Sequence, residues 1–487
     1  MTEQRGVRHT VVVSDVHLCE GVDSAQDPLW LRWRHRENFP DADFAALVDR
    51  VLEVSQAHGD TVEFVFNGDI FDFDAPPVID DAATVDDLPR TESVAVRQIT
   101  RILDDHSGYT AALGRVLDGG HRVVFISGNH DPQMHFRGVQ TVLRQRLCDA
   151  SGDASLSRNV LFRTWFHRTS DGVHIEHGNQ YDPLCAFRYP MLPEHPTLVG
   201  DLSERSIQPT VGSLAFRHLI SRMGYFNPHV DATWMLDLPG YVSHWARYYC
   251  FSPRSLATLW VTGAVRILAS LVSHRDPGDS QRAAANIALA AQETFSDPAS
   301  VARHAALCAT PAEDSLLRVA REFWLDRAVL SGAMAATVAA NFWVPRRFGL
   351  PLAMAVPIFA AVYELATPKP TLNETYDHIA SVGQGIAEIY HARAVLFGHT
   401  HIPYGRWNDG VFYGNSGTWS AAFTDAACRE PVDPLGKPVL WLRGDGDALD
   451  GGLYRLRDGD LRPDATRDPT VSVGDAPRQG ALPVGAA

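Results

Sequence analysis

The chain has 487 residues, of which 45% are hydrophobic and 21% are charged, and this balance excludes collagen-like, low-complexity and wholly disordered proteins. The formal net charge of −15 disfavours a general surface for long nucleic acids but leaves room for a local site that binds a phosphorylated substrate. Six widely spaced cysteines without a Cys-x-x-Cys pair, and a polar start (MTEQRGVRHT) without the apolar stretch of a secretory signal, predict a reducing, cytoplasmic location.

In the first 180 residues, apolar β-rich runs alternate with helical patterns. The runs TVVV, VEFVF and RVVFI each end in polar residues, and helical spacing follows at 44–54, 94–117 and 139–147. Residues 160–166 and 173–176 then predict a β pair. Continuous apolar strands that alternate with amphipathic helices predict an α/β fold with covered sheets, whose ligands bind at the carboxyl ends of the strands.

The strand pattern stops near residue 181 and returns at 394–397. This division predicts a core formed by 1–180 and 371–461, a mostly helical cap inserted at 181–370, and a disordered tail rich in Pro, Gly, Asp and Ala at 462–487. His177 and His399 are 222 positions apart, and a structureless loop of that length is implausible, so the insertion is expected to fold.

The predicted strand ends share a set of metal-binding side chains: Asp15, His17, Asp69, Asn129, His177, His399 and His401. Imidazoles, carboxylates and an amide suit Mn, Fe, Zn or Ni. A single Asp-x-His or Gly-Asn-His-Asp occurs often in ordinary turns. Five such clusters in order, each closing an apolar strand, indicate one metal site.

These clusters resemble the ordered motifs of the calcineurin-like metallophosphoesterases. The matching segments are Asp15-Val16-His17, Gly68-Asp69-Ile70-Phe71-Asp72, Gly128-Asn129-His130-Asp131, the separate His177, and Gly398-His399-Thr400-His401. The resemblance covers about 8–180 and 390–420. It implies an αββα sandwich of two sheets, to which the insertion adds a large helical cap.

The resemblance also implies a centre of two divalent metal ions, with Mn favoured and Fe, Zn or Ni as alternatives. A hydroxide shared by the two ions would be the nucleophile. The implied ligands are Asp15, His17 and His401 at one ion, Asn129, His177 and His399 at the other, and Asp69 between them.

By the same resemblance, His130 is the catalytic histidine, which would protonate the leaving oxygen or stabilise the phosphoryl oxygens. Asp72 would orient His130, although a turn-capping role is open for it, and Asp131 would be either a supporting partner or a helix N-cap. Phe73 stands where protein Ser/Thr phosphatases carry a phosphate-clamping Arg, which argues against that branch. Other substrate contacts, each more often structural, are His135, Arg137, Asn179, Gln180 and Tyr181.

Two uncharged apolar runs, 328–344 and 348–363, lie in the predicted cap on either side of Pro345-Arg346-Arg347. Both are slightly shorter than the roughly 18–20 residues of a spanning helix. A spanning hairpin would place both arginines on the far side of the membrane, against the positive-inside bias. A helical pair buried in the cap and a hairpin that meets one leaflet remain as alternatives.

Together these features predict a dinuclear metal-dependent hydrolase of phosphate esters or pyrophosphates, acting on a lipid-linked or bulky substrate. Peripheral contact with the inner face of the membrane would occur through 328–363. UDP-diacylglucosamine hydrolases are similar in layout, with an Asp-x-His start, a helical cap and a lipid substrate, but their cap is much shorter. The alternatives are a soluble phosphodiesterase acting on a nucleotide or other small ester, and a membrane-associated pseudoenzyme scaffold, which the intact ligand positions disfavour.

Overall fold

Two β-sheets stacked face to face, with helices on both outer sides, form the protein in its computed structural model. The structure describes residues 8–23, 29–79, 82–83, 89–199, 202–219, 221, 256–273, 279–323, 325–340, 357–363, 375–423, 428–431, 435–446 and 448–464, with isolated positions at 246, 343, 351, 355 and 365. The mixed α/β fold predicted from the sequence is confirmed.

The strands of the described chain are numbered in chain order. They are β1 (Arg8–Val13), β2 (Thr61–Asn67), β3 (Val78–Ile79), β4 (Ala82–Ala83), β5 (Arg122–Ile126), β6 (Val160–Arg163), β7 (Phe166–Arg168), β8 (Val173–Glu176), β9 (Glu194–Val199), β10 (Leu202–Ile207), β11 (Ala394–Phe397), β12 (Tyr404–Asn408), β13 (Val411–Asn415), β14 (Lys437–Asp445), β15 (Ala448–Arg457) and β16 (Asp460–Pro463).

The helices are numbered in the same way. They are α1 (Asp41–His58), α2 (Glu92–Asp105), α3 (Ser107–Asp118), α4 (Arg137–Ser151), α5 (Val211–His218), α6 (Leu256–Ser273), α7 (Ser280–Thr294), α8 (Pro298–Ala305), α9 (Leu316–Glu322), α10 (Leu325–Ala340) and α11 (Thr375–Tyr390).

The first sheet has the strand order β16-β15-β14-β1-β2-β5-β6, and the second has the order β12-β13-β11-β8-β7. In the first sheet β1, β2, β5 and β6 run parallel, while β14 pairs antiparallel with β1. In the second sheet β8, β11 and β13 run parallel. The carboxyl ends of β1, β2 and β5 therefore meet at one edge of the first sheet, and those of β8 and β11 meet in the second.

The inner faces of the two sheets share one apolar core, in which Val12 and Val65 pack with residues such as Ile175 and Leu396. Helices α1 to α4 cover the outer face of the first sheet. Helices α7, α8 and α11 cover the second sheet. Burial on both faces explains why the parallel strands read as continuous apolar runs.

Four local features differ from the sequence-based expectation. The β pair predicted at 160–166 and 173–176 is divided, because β6 extends the first sheet and only β7 pairs with β8. The helix predicted at 94–117 breaks at His106 into α2 and α3. The predicted cap contains the antiparallel hairpin of β9 and β10, and β16 extends to Pro463, just inside the predicted tail.

The apolar segment predicted at 328–363 is described only in part. Helix α10 has no buried residue, and Val329 on it is 73% exposed. Most of 341–356 lies outside the described residues. Within the part of the chain that the structure describes, we find no helix with both the length and the apolar character needed to cross a bilayer.

Candidate metal centre

All seven predicted ligands follow or closely follow the carboxyl ends of strands in the two sheets. Asp15 and His17 follow β1, Asp69 follows β2, Asn129 follows β5, His177 follows β8, and His399 and His401 follow β11. The loop after β1 hydrogen-bonds to the loop after β2, because the amide of His17 donates to the carbonyl of Asp69 at 3.0 Å.

Asp15, His17 and His401 form the first group of donor atoms, all within 4.8 Å of one another. Nε2 of His401 lies 3.1 Å from Oδ1 of Asp15, and Nε2 of His17 lies 3.4 Å from Nε2 of His401. Asp15 and His17 are fully buried. Residues nearly 400 positions apart therefore meet as the sequence predicts.

Asp69, His177 and His399 form the second group, again with donor atoms within 4.8 Å. Nδ1 of His177 donates to the carbonyl of Asn67 at 2.8 Å, so its Nε2 carries the lone pair in the neutral ring, 3.1 Å from Oδ2 of Asp69. Such a backbone partner orients metal-binding imidazoles in many proteins.

The donor set fits divalent cations. Oδ1 of Asn129 is buried without a hydrogen-bond partner among the described residues. Burial disfavours the charged form of Asp69, yet the charges of His177 and His130 hold the pKa of this carboxyl well below its usual range. Burial likewise opposes protonation of His177, but the charges of Asp69 and Asp15 raise its pKa to about 9. Protons on these rings thus occupy the electrostatic role that cations can take.

The backbone is strained at five of the seven ligand positions, which sequence reasoning did not reveal. These residues are non-glycine and have positive φ angles: Asp15 (52°), His17 (53°), Asp69 (53°), His399 (67°) and His401 (59°). Such conformations cost of order 1–3 kcal/mol each and cluster at functional sites. The surrounding sheets must therefore stabilise the ligand loops.

Two motif glycines leave room for the ligands. A Cβ atom on Gly128 would lie 2.1 Å from Oδ1 of Asp69, and one on Gly398 would lie 2.8 Å from Oδ2 of Asp15. Neither glycine has a positive φ angle, so the requirement is close approach.

His130, the predicted catalytic histidine, lies beside the donor groups. Its ring centroid is 4.9 Å from that of His17, and its amide donates to Oδ1 of Asp69 at 2.7 Å. Nδ1 of His130 lies 3.3 Å from Oδ1 of Asp72. Burial opposes protonation, but the charge of Asp69 and the hydrogen bond to Asp72 raise the pKa of His130 to about 10.

Asp72 also has the turn-capping role left open by the sequence, since it accepts from the amides of Asp74 at 2.9 Å and Ala75 at 3.0 Å. Asp131 acts as a supporting partner and makes no helix-capping hydrogen bond. Its carboxylate accepts from the amides of Gly128 at 2.6 Å and Ile70 at 2.8 Å, and so ties the second and third motif loops together.

The sequence alone did not identify Asp74, a buried carboxylate next to His130. Phe73 is fully buried, while Asp74 lies 3.9 Å from Nδ1 of His130. Nη2 of Arg90 lies 2.6 Å from Asp74, and Nε of Arg217 on α5 lies 3.6 Å from it. The Gly-Asp-x-x-Asp-Phe-Asp sequence contains Asp74, but nothing in the sequence links Asp74 to Arg90, 16 positions away, or to Arg217, 143 positions away.

The sequence alone also did not identify Asp182 as a site residue. Its carboxylate lies 3.2 Å from Nε2 of His399, so it can orient this ring or share its cation. Cys185 belongs to the same group of donors. Burial raises the pKa of the Cys185 thiol well above its usual value, which makes it a poor ligand beside the carboxylate.

The predicted substrate contacts occupy supporting positions. Asn179 donates to the carbonyl of Cys185 at 3.0 Å, and Gln180 accepts from the amide of Phe187 at 3.1 Å. The remaining three differ in exposure and partner: Tyr181 is fully buried, His135 lies 3.1 Å from Glu194, and Arg137 is exposed at the start of α4.

Residues 8–236 match the family model described as Calcineurin-like phosphoesterase. This range includes four of the five motif segments, and Gly398 to His401 lies beyond it. No curated protein matches the chain.

Proposed function

We propose that the chain, whose residues 8–236 match the Calcineurin-like phosphoesterase family model, is a metal-dependent phosphoester hydrolase that works through two divalent ions on bulky phosphate esters or pyrophosphates. The observation that carries the proposal is the position of Asp69, which belongs to the second donor group and to a group with His17 and His130. A carboxylate between two donor groups is the arrangement that a pair of cations requires.

Asp15, His17 and His401 would hold one ion, and Asn129, His177 and His399 the other, with Asp69 shared. Manganese is our first choice of metal because carboxylate, amide and imidazole donors suit it. When bound, such ions supply the charge neutralisation and the water activation that phosphoryl transfer requires.

His130 would be the proton donor to the leaving oxygen. A raised pKa keeps its ring protonated at neutral pH, and the hydrogen bond to Asp72 leaves Nε2 as the atom that can face the substrate. Asp72 is then a positioning residue. Phe73 contributes no charge at the position of the protein-phosphatase arginine, so any cationic side chain for the phosphate would come from elsewhere. Arg90 and Arg217, both beside Asp74, are the candidates.

A lipid-linked substrate is the preferred form of this proposal. Its support is the apolar surface of the predicted cap, where Ile358 is 60% and Phe359 is 59% exposed in addition to α10. Large contiguous patches of exposed apolar surface usually mark sites that contact lipids or other proteins. The same surface would give the peripheral membrane contact.

A panel assay of the Mn²⁺-loaded protein tests the proposal. It would measure hydrolysis of bis-p-nitrophenyl phosphate, acylated sugar nucleotides, phospholipid phosphates and free nucleotides. Turnover of acylated substrates above that of their deacylated counterparts supports the lipid-linked form. Turnover of nucleotides alone supports the soluble phosphodiesterase, and a loaded protein inert to every ester would overturn the hydrolase in favour of a scaffold.

A further inference from the structure

A second cluster of metal-binding side chains lies away from the centre around Asp69. His174 and Glu176 lie on β8, and His304 lies on α8 in the predicted cap. Their donor atoms all lie within 4.8 Å of one another, and the three residues are at most 1% exposed. Neither the seven-ligand centre nor the proposed reaction uses them.

The donor spacing is that of a coordination sphere. Oε1 of Glu176 lies 3.3 Å from Nε2 of His174 and 3.4 Å from Nε2 of His304. Zn²⁺ binds these atom types at about 2.0–2.2 Å, which separates the donors of a tetrahedral site by about 3.3–3.6 Å. The Tyr181 hydroxyl, 2.8 Å from Glu176 and 2.7 Å from His304, is a further oxygen at the same place.

The charges of the cluster favour a cation. Burial lowers the pKa of His174 to about 4, so this ring is neutral at neutral pH. Oε2 of Glu176 and Nδ1 of His174 are also buried without hydrogen-bond partners among the described residues. An ionised carboxylate in such surroundings gains most from a positive neighbour.

Aromatic rings enclose the cluster. Trp165 stacks on His304 with ring centroids 4.7 Å apart, and Tyr390 stacks on His174 at 5.1 Å. Phe166 also stacks on His174, with ring centroids 5.0 Å apart. Apolar walls of this kind exclude water and strengthen the attraction between a cation and its ligands.

We propose that His174, Glu176 and His304 bind a third divalent cation, of the zinc class, at a structural site separate from the centre around Asp69. Two imidazoles and one carboxylate are ligand types that zinc takes in proteins, and the Tyr181 hydroxyl supports the carboxylate by hydrogen bonding to it. The site joins α8 to β8, and β8 leads directly into His177. Bound metal would therefore hold the insertion against the strand that positions a ligand of the reaction centre.

Metal counting on purified full-length variants tests the site. The wild type, His304→Gln and Tyr390→Phe would be loaded with Zn²⁺, desalted and analysed by plasma mass spectrometry. Tyr390 contacts Nδ1 of His304 at 3.2 Å but supplies none of the three donor atoms, so it is the matched control. We expect His304→Gln to hold one equivalent fewer than the wild type and Tyr390→Phe to hold the same number.

The difference between variants is the decisive quantity, because incomplete loading of the reaction centre affects all three proteins equally. Hydrolysis of bis-p-nitrophenyl phosphate should persist in His304→Gln, which separates this site from the proposed reaction. If His304→Gln does not fold, His174→Gln serves in its place. Equal metal content in the wild type and the folded variant would overturn the proposal and leave the cluster as a metal-free hydrogen-bond network.

Discussion

Asp69 has contacts that no other side chain of the described site combines. It accepts from the amide of His130 at 2.7 Å, lies 3.1 Å from Nε2 of His177, and comes within reach of His17. Its charge also contributes to the raised pKa values of His130 and His177. This carboxylate therefore influences the electrostatics of His130 and of the second donor group.

Asp69→Asn should abolish hydrolysis and lower the bound metal, because the amide cannot screen two cations. Metal analysis and the bis-p-nitrophenyl phosphate assay on the same preparation give both readouts. Asp49→Asn, on the exposed face of α1, is the control. Full activity with two equivalents of metal in Asp69→Asn would contradict the assignment.

His130→Ala should keep the metal content of the wild type and lower kcat by about 10²–10⁴-fold, the usual weight of general acid–base catalysis. Esters with good leaving groups should lose least, because their oxygen needs no proton. Asp72→Asn should give a smaller loss with the same leaving-group trend. An equal loss for every leaving group would instead indicate a purely electrostatic role for His130.

The stability of the chelator-treated protein should fall as the pH rises above 7. Burial opposes protonation of His130 and His177, but nearby carboxylates raise their pKa values to about 10 and about 9, from an ordinary value of 6.5. A raised pKa in the folded state stabilises the fold fully below the unfolded pKa, and this contribution is lost as the pH passes the folded value.

Thermal unfolding between pH 6 and 9.5 measures this loss. The Mn²⁺-saturated protein should change less, since cations replace the protons, and Asp69→Asn should flatten the metal-free curve. A Tm that is constant or rises with pH in the chelated wild type would show that these rings are not held protonated.

At the scale of elements, metal binding depends on the backbone of the loops after the strands as well as on the ligand side chains. Gly128→Ala should lose metal and activity together, because its Cβ would lie 2.1 Å from Oδ1 of Asp69. Gly108→Ala, in α3 with its nearest neighbour at 3.7 Å, should leave both unchanged. Metal binding and kcat measured on the two variants distinguish crowding from a general effect of removing glycine; wild-type metal content in Gly128→Ala would refute the crowding.

Strand identity and ligand position could be predicted because each apolar run ends in its own motif, as at Asp15 and His177. The sheet that each strand joins could not be predicted, since β6 and β7 are both short and follow each other closely in the chain, and only tertiary pairing separates them. The partners of Asp74 and Glu176 were equally out of reach. Arg217 and His304 lie more than 120 positions away, in a region with no recognisable motif.

For the whole molecule, the apolar insertion gives the clearest test of membrane contact. Replacing 328–363 with a short Gly/Ser linker should reduce sedimentation with liposomes and improve solubility, because the exposed residues of α10 and 357–363 are removed. Hydrolysis of a small chromogenic diester should survive, since every proposed ligand lies outside the segment, while hydrolysis of an acylated substrate should fall.

A vesicle-binding assay with the intact chain is the companion measurement. If the intact protein does not bind liposomes and the deletion variant does not fold, then the segment belongs to the interior of the cap and the hypothesis of a lipid-linked substrate is wrong.

The strand order of the two sheets also bears on synthesis at the ribosome. β14 flanks β1 in the interior of the first sheet, and β11 lies between β8 and β13 in the second. When His177 has been translated, both sheets therefore still lack interior strands that lie more than 200 residues downstream. At about 5–20 residues per second, the early strands spend ten seconds or more with exposed edges. Such edges invite pairing with other chains, so a nascent chain of this topology has a prolonged need for chaperones.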